Sequence, residues 1–309
     1  MRRGLLLGTL IGVGVVSLVV SGQTQGPSAA AIKAMQIEKV KDNLYIITGS
    51  GADNETTFSG GNVAVFITDA GVTLVDTKLP GFGPTILERI KTVTNKPVTR
   101  IINTHTHGDH TGGNGSFGGT VESIVQENTR TNMTKMPEFS GANAQFLPKR
   151  TYKDKLTVGS GKDRIDLYYF GRGHTNGDTF VVFPALRTMH VGDMFAWKAL
   201  PYVDTDNGGS VVEQPESLAR LVAGVKNVDT IINGHIPVGT WNDLREYADF
   251  TKDFVDFARA SLKAGKTVEQ AANEYKVAPR FKGYAVSLSP AFGGALANMK
   301  IAYQELQRK

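Results

Sequence analysis

The chain has 309 residues, 40% of them hydrophobic, and no cysteine, so a sizeable core is within reach while disulfides and lipidation at cysteine are excluded. Its formal charge of +5 comes from 34 basic and 29 acidic residues without any run of five or six basic residues, which speaks against nucleic acid as a partner.

At the N-terminus, Arg2 and Arg3 precede 16 uncharged residues from Leu5 to Val20. That stretch is short for a bilayer span of about 20 residues, and Val20-Ser21-Gly22 offers a small residue before a cut at Gln23. Residues 1–22 therefore read as an export signal and the destination as periplasmic or secreted, with cleavage preferred over permanent anchoring. Residues 23–36 read as a flexible Gln/Gly/Ser/Ala tether, and residues 37–309 as one domain with a helical C-terminal part.

Within that domain, apolar runs predict strands at Leu44–Thr48, Val63–Ile67 and Val72–Val75. A helix from about Pro84 to Val93 follows, its proline placed in the first turn, and a short buried strand over Arg100–Asn103. Lys149, Arg150, Lys153 and Lys155, mixed with Asp154, read as a solvated loop face. The pattern then repeats, with strands near Ile165–Phe170, Thr179–Phe183 and Thr188–Val191, a helix over Pro215–Val225, and a strand over Thr230–Asn233. Amphipathic helices are expected over Asn242–Ala264, Lys266–Tyr275 and Ala291–Gln307. The Pro279–Pro290 connection carries no readable role.

The chemistry is concentrated where the first half's last strand ends. His105-Thr106-His107-Gly108-Asp109-His110 places three of the chain's six histidines and a carboxylate within six residues. Imidazole suits zinc or iron(II), and carboxylate adds a harder oxygen ligand. His174 lies in Gly171–Asp178, Asp193 follows Gly192 after an apolar strand, and His235 follows Gly234. In both halves a strand finishes on candidate ligands, as α/β enzymes place their sites. His190 reads as a packed structural histidine, because three residues before Asp193 it points to the opposite strand face. Asp76 and Asp178 are carboxylates that either orient metal-bound histidines from behind or cap turns.

This ordered set, H-x-H-x-D-H followed by His174, Asp193 and His235, resembles the metallo-β-lactamase superfamily from about residue 37 to at least residue 240. The resemblance implies a four-layer αβ/βα sandwich and two zinc ions, iron being the alternative metal. His105, His107 and His174 would hold the first ion, Asp109, His110 and His235 the second, and Asp193 would bridge them. A metal-bound hydroxide would attack a small lactam, lactone, ester or thioester, with Asp109 also orienting the nucleophile or passing its proton onward. Two departures narrow the choice. Asp193 stands where many β-lactamases of the superfamily carry Cys or Ser, and the C-terminal part lacks the basic and aromatic cluster with which glyoxalase II binds glutathione. A mononuclear iron oxygenase of the persulfide dioxygenase type and a non-catalytic metal-binding or sensor protein are the competing readings.

Phe195–Tyr202 reads either as the lining of the site's mouth, where Trp197 and Tyr202 would stack on an apolar or ring-bearing group and Lys198 would attract a carboxylate, or as an ordered surface loop with aromatic plugs. Phe58-Ser59-Gly60-Gly61 is expected to act as a flap with glycine hinges. The sequence leaves the oligomeric state open.

Overall fold

The computed structural model describes residues 26–289 and 292–308, so the expected export signal lies outside the described residues. The expected tether is ordered from residue 26 on. Ser28 caps a helix, α1 (Ala29–Ala34), and Ala31 and Met35 are buried. Arg89 then donates to the carbonyls of Ile32 and Met35 at 3.0 and 2.9 Å. That guanidinium anchors what composition alone makes look like a free linker.

Two sheets follow the alternation of the apolar residues. The first contains β1 (Ile37–Lys41), β2 (Leu44–Ile47), β3 (Val63–Thr68), β4 (Gly71–Val75), β5 (Val98–Ile102), β6 (Glu122–Gln126) and β7 (Arg150–Tyr152), in sequence order. It is antiparallel from β1 to β4 and parallel from β4 to β7. The second contains β8 (Lys155–Val158), β9 (Ile165–Tyr168), β10 (Phe180–Phe183), β11 (Thr188–His190), β12 (Thr230–Ile232) and β13 (Gly239–Thr240). Here β11 and β12 run parallel and the other pairings are antiparallel.

Period-2 alternation decides which side chain meets which layer. Leu44, Ile46, Ala64 and Phe66 of the first sheet pack against Val181, Phe183, Leu167 and Ile232 of the second. Their sequence neighbours Ile47, Val63 and Val65 face α1 and α2 (Gly83–Lys91). On the far side, Phe180, Val182, Met189 and Ile231 pack under α5 (Gln214–Gly224), α6 (Trp241–Lys263), α7 (Val268–Glu274) and α8 (Ala295–Gln307). Helix, sheet, sheet, helix is the four-layer sandwich expected from the sequence.

The basic stretch expected as a loop face is strand in part, while Lys149, Lys153 and Asp154 lie in exposed bends. Arg150 lies in β7 and Lys155 in β8, with Arg150 ion-paired to Glu122 at 2.8 Å. Solvent-facing edge strands carry charge, which conceals their period.

Candidate metal centre

Strand ends from both sheets assemble the centre. β4 ends at Asp76, β5 runs out through Asn103 and Thr104 into His105, β11 is followed by Asp193, and β12 by His235. The loop between β9 and β10 supplies His174, and a one-turn helix, α3 (Gly108–Thr111), presents Asp109 and His110. All seven predicted ligands come together.

They form two groups with a shared wall. His107 Nδ1 lies 3.2 Å from His105 Nε2 and 2.9 Å from His174 Nε2. Asp109 Oδ2 lies 3.4 Å from both His110 Nε2 and His235 Nε2, which are themselves 3.4 Å apart. Asp193 reaches both groups, with Oδ2 at 3.1 Å from His235 Nε2 and 3.7 Å from His174 Nε2, and Oδ1 at 3.2 Å from His110 Nε2. The donor atoms of His105, His110 and Asp193 also converge within 4.8 Å of one another.

The outer nitrogens show why this set fits a cation. His174 Nδ1 donates to the Tyr202 carbonyl at 2.7 Å, His107 Nε2 to Asp204 Oδ2 at 2.7 Å, and His110 Nδ1 to Asp76 Oδ2 at 2.7 Å. The Thr104 hydroxyl donates to Asp76 Oδ2 at 2.7 Å, so its oxygen accepts from His105 Nδ1 at 3.0 Å. In its neutral form each of these four rings keeps its proton outside and aims a lone pair inward, the arrangement of metal-bound histidines. Asp193 Oδ1 is buried and has no donor in hydrogen-bond geometry, which also suits a cation partner.

Burial, reinforced by the neighbouring imidazoles His110 and His174, pushes the His105 pKa well below its usual value. Burial together with His107 takes His174 down to about 4. For His110 burial acts in the same direction, but Asp109, Asp193 and Asp76 outweigh it and hold the ring well above the usual value. Burial would raise Asp109 and Asp193 too; His110 and His235 overcome it and keep both carboxyls ionised.

Backbone approaches this cluster so closely that only glycine fits at two points. A Cβ on Gly61 would stand 2.2 Å from the His110 ring, and one on Gly234 would stand 1.9 Å from Asp193 Oδ1. The Phe58–Gly61 stretch is accordingly no hinged flap. Gly61 N donates to the Asp109 carbonyl at 3.0 Å and Leu79 N to the Ser59 carbonyl at 3.1 Å, which pins it.

The remaining expectations divide. Asp76 orients the His110 ring by accepting from its Nδ1. Asp178 does not orient a histidine: its carboxylate accepts from Thr175 N at 2.9 Å and from the Thr175 hydroxyl at 2.8 Å, so it fixes the turn after His174. His190 is structural. Gly192 N donates to its Nδ1, and its Nε2 donates to the Asn62 carbonyl, both at 3.1 Å.

Tyr202 stands at the mouth, 38% exposed, its ring 6.0 Å from His107 and 5.9 Å from His174. Trp197 is buried, donates to the Leu200 carbonyl, and packs 5.9 Å from the His235 ring. Lys198 is not offered to a substrate carboxylate, because its ammonium pairs with Asp243 at 2.9 Å.

Two residues went unread. Asp204, which orients His107, sits in a polar loop like any other. Lys78 is fully buried and donates to the Gly60 and Gly61 carbonyls at 3.3 and 2.9 Å. A lysine three residues past an apolar strand reads as a surface charge, and no local pattern marks it.

Comparisons with known proteins agree with this geometry. The model of the metallo-beta-lactamase superfamily matches residues 56–235. The metallo-beta-lactamase type 2 of Elizabethkingia meningoseptica is 31% identical over 215 residues, covering 68% of this chain and 80% of its own length. That of Bacillus cereus is 22% identical over 71% of this chain and 83% of its own. Among solved structures, a metallo-beta-lactamase from Pontibacter korlensis superposes with a TM-score of 0.61 at 21% identity, covering 71% of this chain and 99% of that one. The sec-alkylsulfatase Pisa1 from Pseudomonas sp. superposes with a TM-score of 0.70 at 16% identity, over 91% of this chain and 53% of that one. These two likenesses bear on the fold.

Proposed function

The chain belongs to the metallo-β-lactamase superfamily and is a metal-dependent hydrolase, and on that premise we propose an exported dinuclear zinc enzyme that opens a small lactam, lactone, ester or thioester. The observation that carries the dinuclear reading is the position of Asp193, within 3.1–3.7 Å of donors from both groups. Export rests on Arg2, Arg3 and the uncharged stretch that follows.

In this reading His105, His107 and His174 would hold one ion and Asp109, His110 and His235 the other, with Asp193 available to both groups. A zinc pair in such a site supplies an acidified water and a Lewis acid for the substrate carbonyl. The chain's own residues do the rest. Asp76, Thr104, Asp204 and the Tyr202 carbonyl hold the rings so that no reorganisation is needed during reaction. Asp109 turns Oδ2 to His110 and His235, leaving Oδ1 to take the proton of the attacking water and return it to the leaving group. Tyr202 covers the mouth beside His107 and His174, and Trp197 backs His235.

A mononuclear iron oxygenase needs only one such ligand set, and the second set is as convergent as the first. That favours the hydrolase.

The test is turnover of a chromogenic cephalosporin, a lactone, a thioester and a p-nitrophenyl ester by zinc-loaded protein, with and without chelator. Hydrolysis that the chelator stops and Asp109→Asn abolishes is the expected result. Protein that carries about one iron per chain, excludes zinc and hydrolyses none of them would contradict it.

A further inference from the structure

We propose that the site receives its substrate by an extended, uncharged apolar arm laid along a wall of Phe58, Trp197, Ile236, Leu288 and Phe292 beside His235. This rests on the acyl-hydrolase reading and narrows its substrates to neutral esters, lactones or thioesters with alkyl or aryl arms.

The wall is continuous with the metal centre. The rings of Phe58 and Trp197 lie 5.6 and 5.9 Å from that of His235, and Phe292 lies 5.2 Å from Trp197. Buried Ala52, Ala196, Trp197 and Ala199 form its base, and half-buried Phe58, Ile236, Leu288 and Phe292 pack on it. The one polar atom of the Trp197 ring is already used by the Leu200 carbonyl, so the indole offers only carbon.

Its outer part is held in place by backbone. Ala285 N donates to the Lys198 carbonyl at 3.0 Å, and Leu200 N donates to the Ala285 carbonyl at 3.2 Å. Leu288 and Phe292 lie beyond residue 235, where the family match ends. The C-terminal part of the chain thus completes a wall whose Phe58 and Trp197 lie within the family match.

Exposed carbon gathers on the same segments. Among the described residues, the large apolar side chains left 38–55% exposed are Tyr202, Val238, Val286 and Leu296. Tyr202 follows the Trp197 stretch, Val238 follows Ile236, and Val286 and Leu296 bracket Leu288 and Phe292. Apolar surface that adjoins a polar centre and stays open to water marks a ligand site.

Charge points the same way. Lys198 is bound to Asp243 at 2.9 Å and stands 5.6 Å above the Tyr284 ring. Across the centre, the Asp204 carboxylate accepts from His107 Nε2 and from Asn207 Nδ2, both at 2.7 Å. An anionic arm gains nothing on either side.

Two measurements on the zinc-loaded protein test this. In a p-nitrophenyl ester series from acetate to octanoate, kcat/KM rises about three- to fourfold per methylene until the wall is covered. Separately, the Kd of linear carboxylates from acetate to octanoate, measured by calorimetry, tightens in parallel. Leu288→Asp and Phe292→Ser each flatten both series while zinc content stays at the wild-type value.

Turnover and binding that ignore chain length overturn the wall and leave the hydrolase reading standing. Length-dependent binding, lost in both variants, without hydrolysis of any ester does the reverse.

Discussion

Asp76 and Lys78 show how much of this centre depends on single residues behind it. Both adopt left-handed backbone, with φ of 66° and 64°, which costs a non-glycine residue about 1 kcal/mol or more and persists only where surroundings over-determine it. For Asp76 the surroundings are Thr104 N, the Thr104 hydroxyl and His110 Nδ1, each at 2.7 Å. Asparagine tolerates the same backbone, so Asp76→Asn removes the charge and one accepting oxygen while keeping the turn. Zinc competition with a chromophoric chelator should show the affinity at the His110 site falling by about 10–100-fold. An unchanged affinity would reduce Asp76 to a turn cap. Lys78 is held by carbonyls of the loop that touches His110, and burial brings its pKa down to about 7 against the pull of Asp109 and Asp76. Lys78→Met leaves two buried carbonyls without their donor and should cost about 1–3 kcal/mol in urea unfolding. Gly61→Ala should weaken zinc binding more than it weakens folding, because the added methyl strikes the His110 ring before anything else. Neither Lys78 nor Asp204 was legible in the sequence, since each acts through a partner far along the chain. The seven converging histidines and aspartates were legible, because a metal centre restricts residue type so severely.

At the scale of elements, α6 carries the clearest local signal and also the reason one expectation failed. Thr240 accepts from Asp243 N, and the Asp243 carboxylate accepts from Thr240 N, closing a capping box. Asp243 also takes Lys198, which is why that lysine does not face the site. Thr240→Ala should therefore cost about 1 kcal/mol, read as a melting temperature lower by about 2–4 °C, with zinc content unchanged. Burial would raise the Asp243 pKa, but the bonds from Thr240 and Lys198 take it down to about 2. A carboxyl lowered on folding stabilises above its unfolded pKa and loses that contribution as pH falls through the folded one. Wild type should thus lose this increment between about pH 4 and 2, and Thr240→Ala should lose less there. A parallel acid profile for both proteins would assign the low pKa to other contacts. Strands with one apolar face were readable from their alternation. β1, β7 and β8 were not, because Glu38, Lys39, Arg150 and Lys155 interrupt their pattern with solvent-facing charge. α1 escaped for the opposite reason: its Ala-rich residues resemble a linker until Arg89 is seen to hold them.

For the whole molecule, the centre is a joint between two sheets. Asp109 and His110 follow the first sheet's β5, while Asp193 and His235 follow β11 and β12 of the second. A cation bound between them ties the halves by contacts that exist only in the folded state, so it stabilises by mass action. Chelation should lower the melting temperature by several degrees, since zinc at about 100 times its Kd contributes about 2.7 kcal/mol. Readdition of zinc should restore it. The sandwich was foreseeable from the family resemblance carried by the ordered ligand string, and the repetition of a strand ending on candidate ligands in each half agreed with it. What lies between the sheets and the C-terminal helices, including Leu288 and Phe292, was not foreseeable, because it depends on where a long chain returns to the site.

The central claim is that two ions share this joint, and a metal count tests it most directly. After zinc loading and exhaustive dialysis, mass spectrometric analysis should give about two zinc ions per chain for wild type and about one for His235→Ala. A single ion in wild type, or the same count in both proteins, would contradict the account.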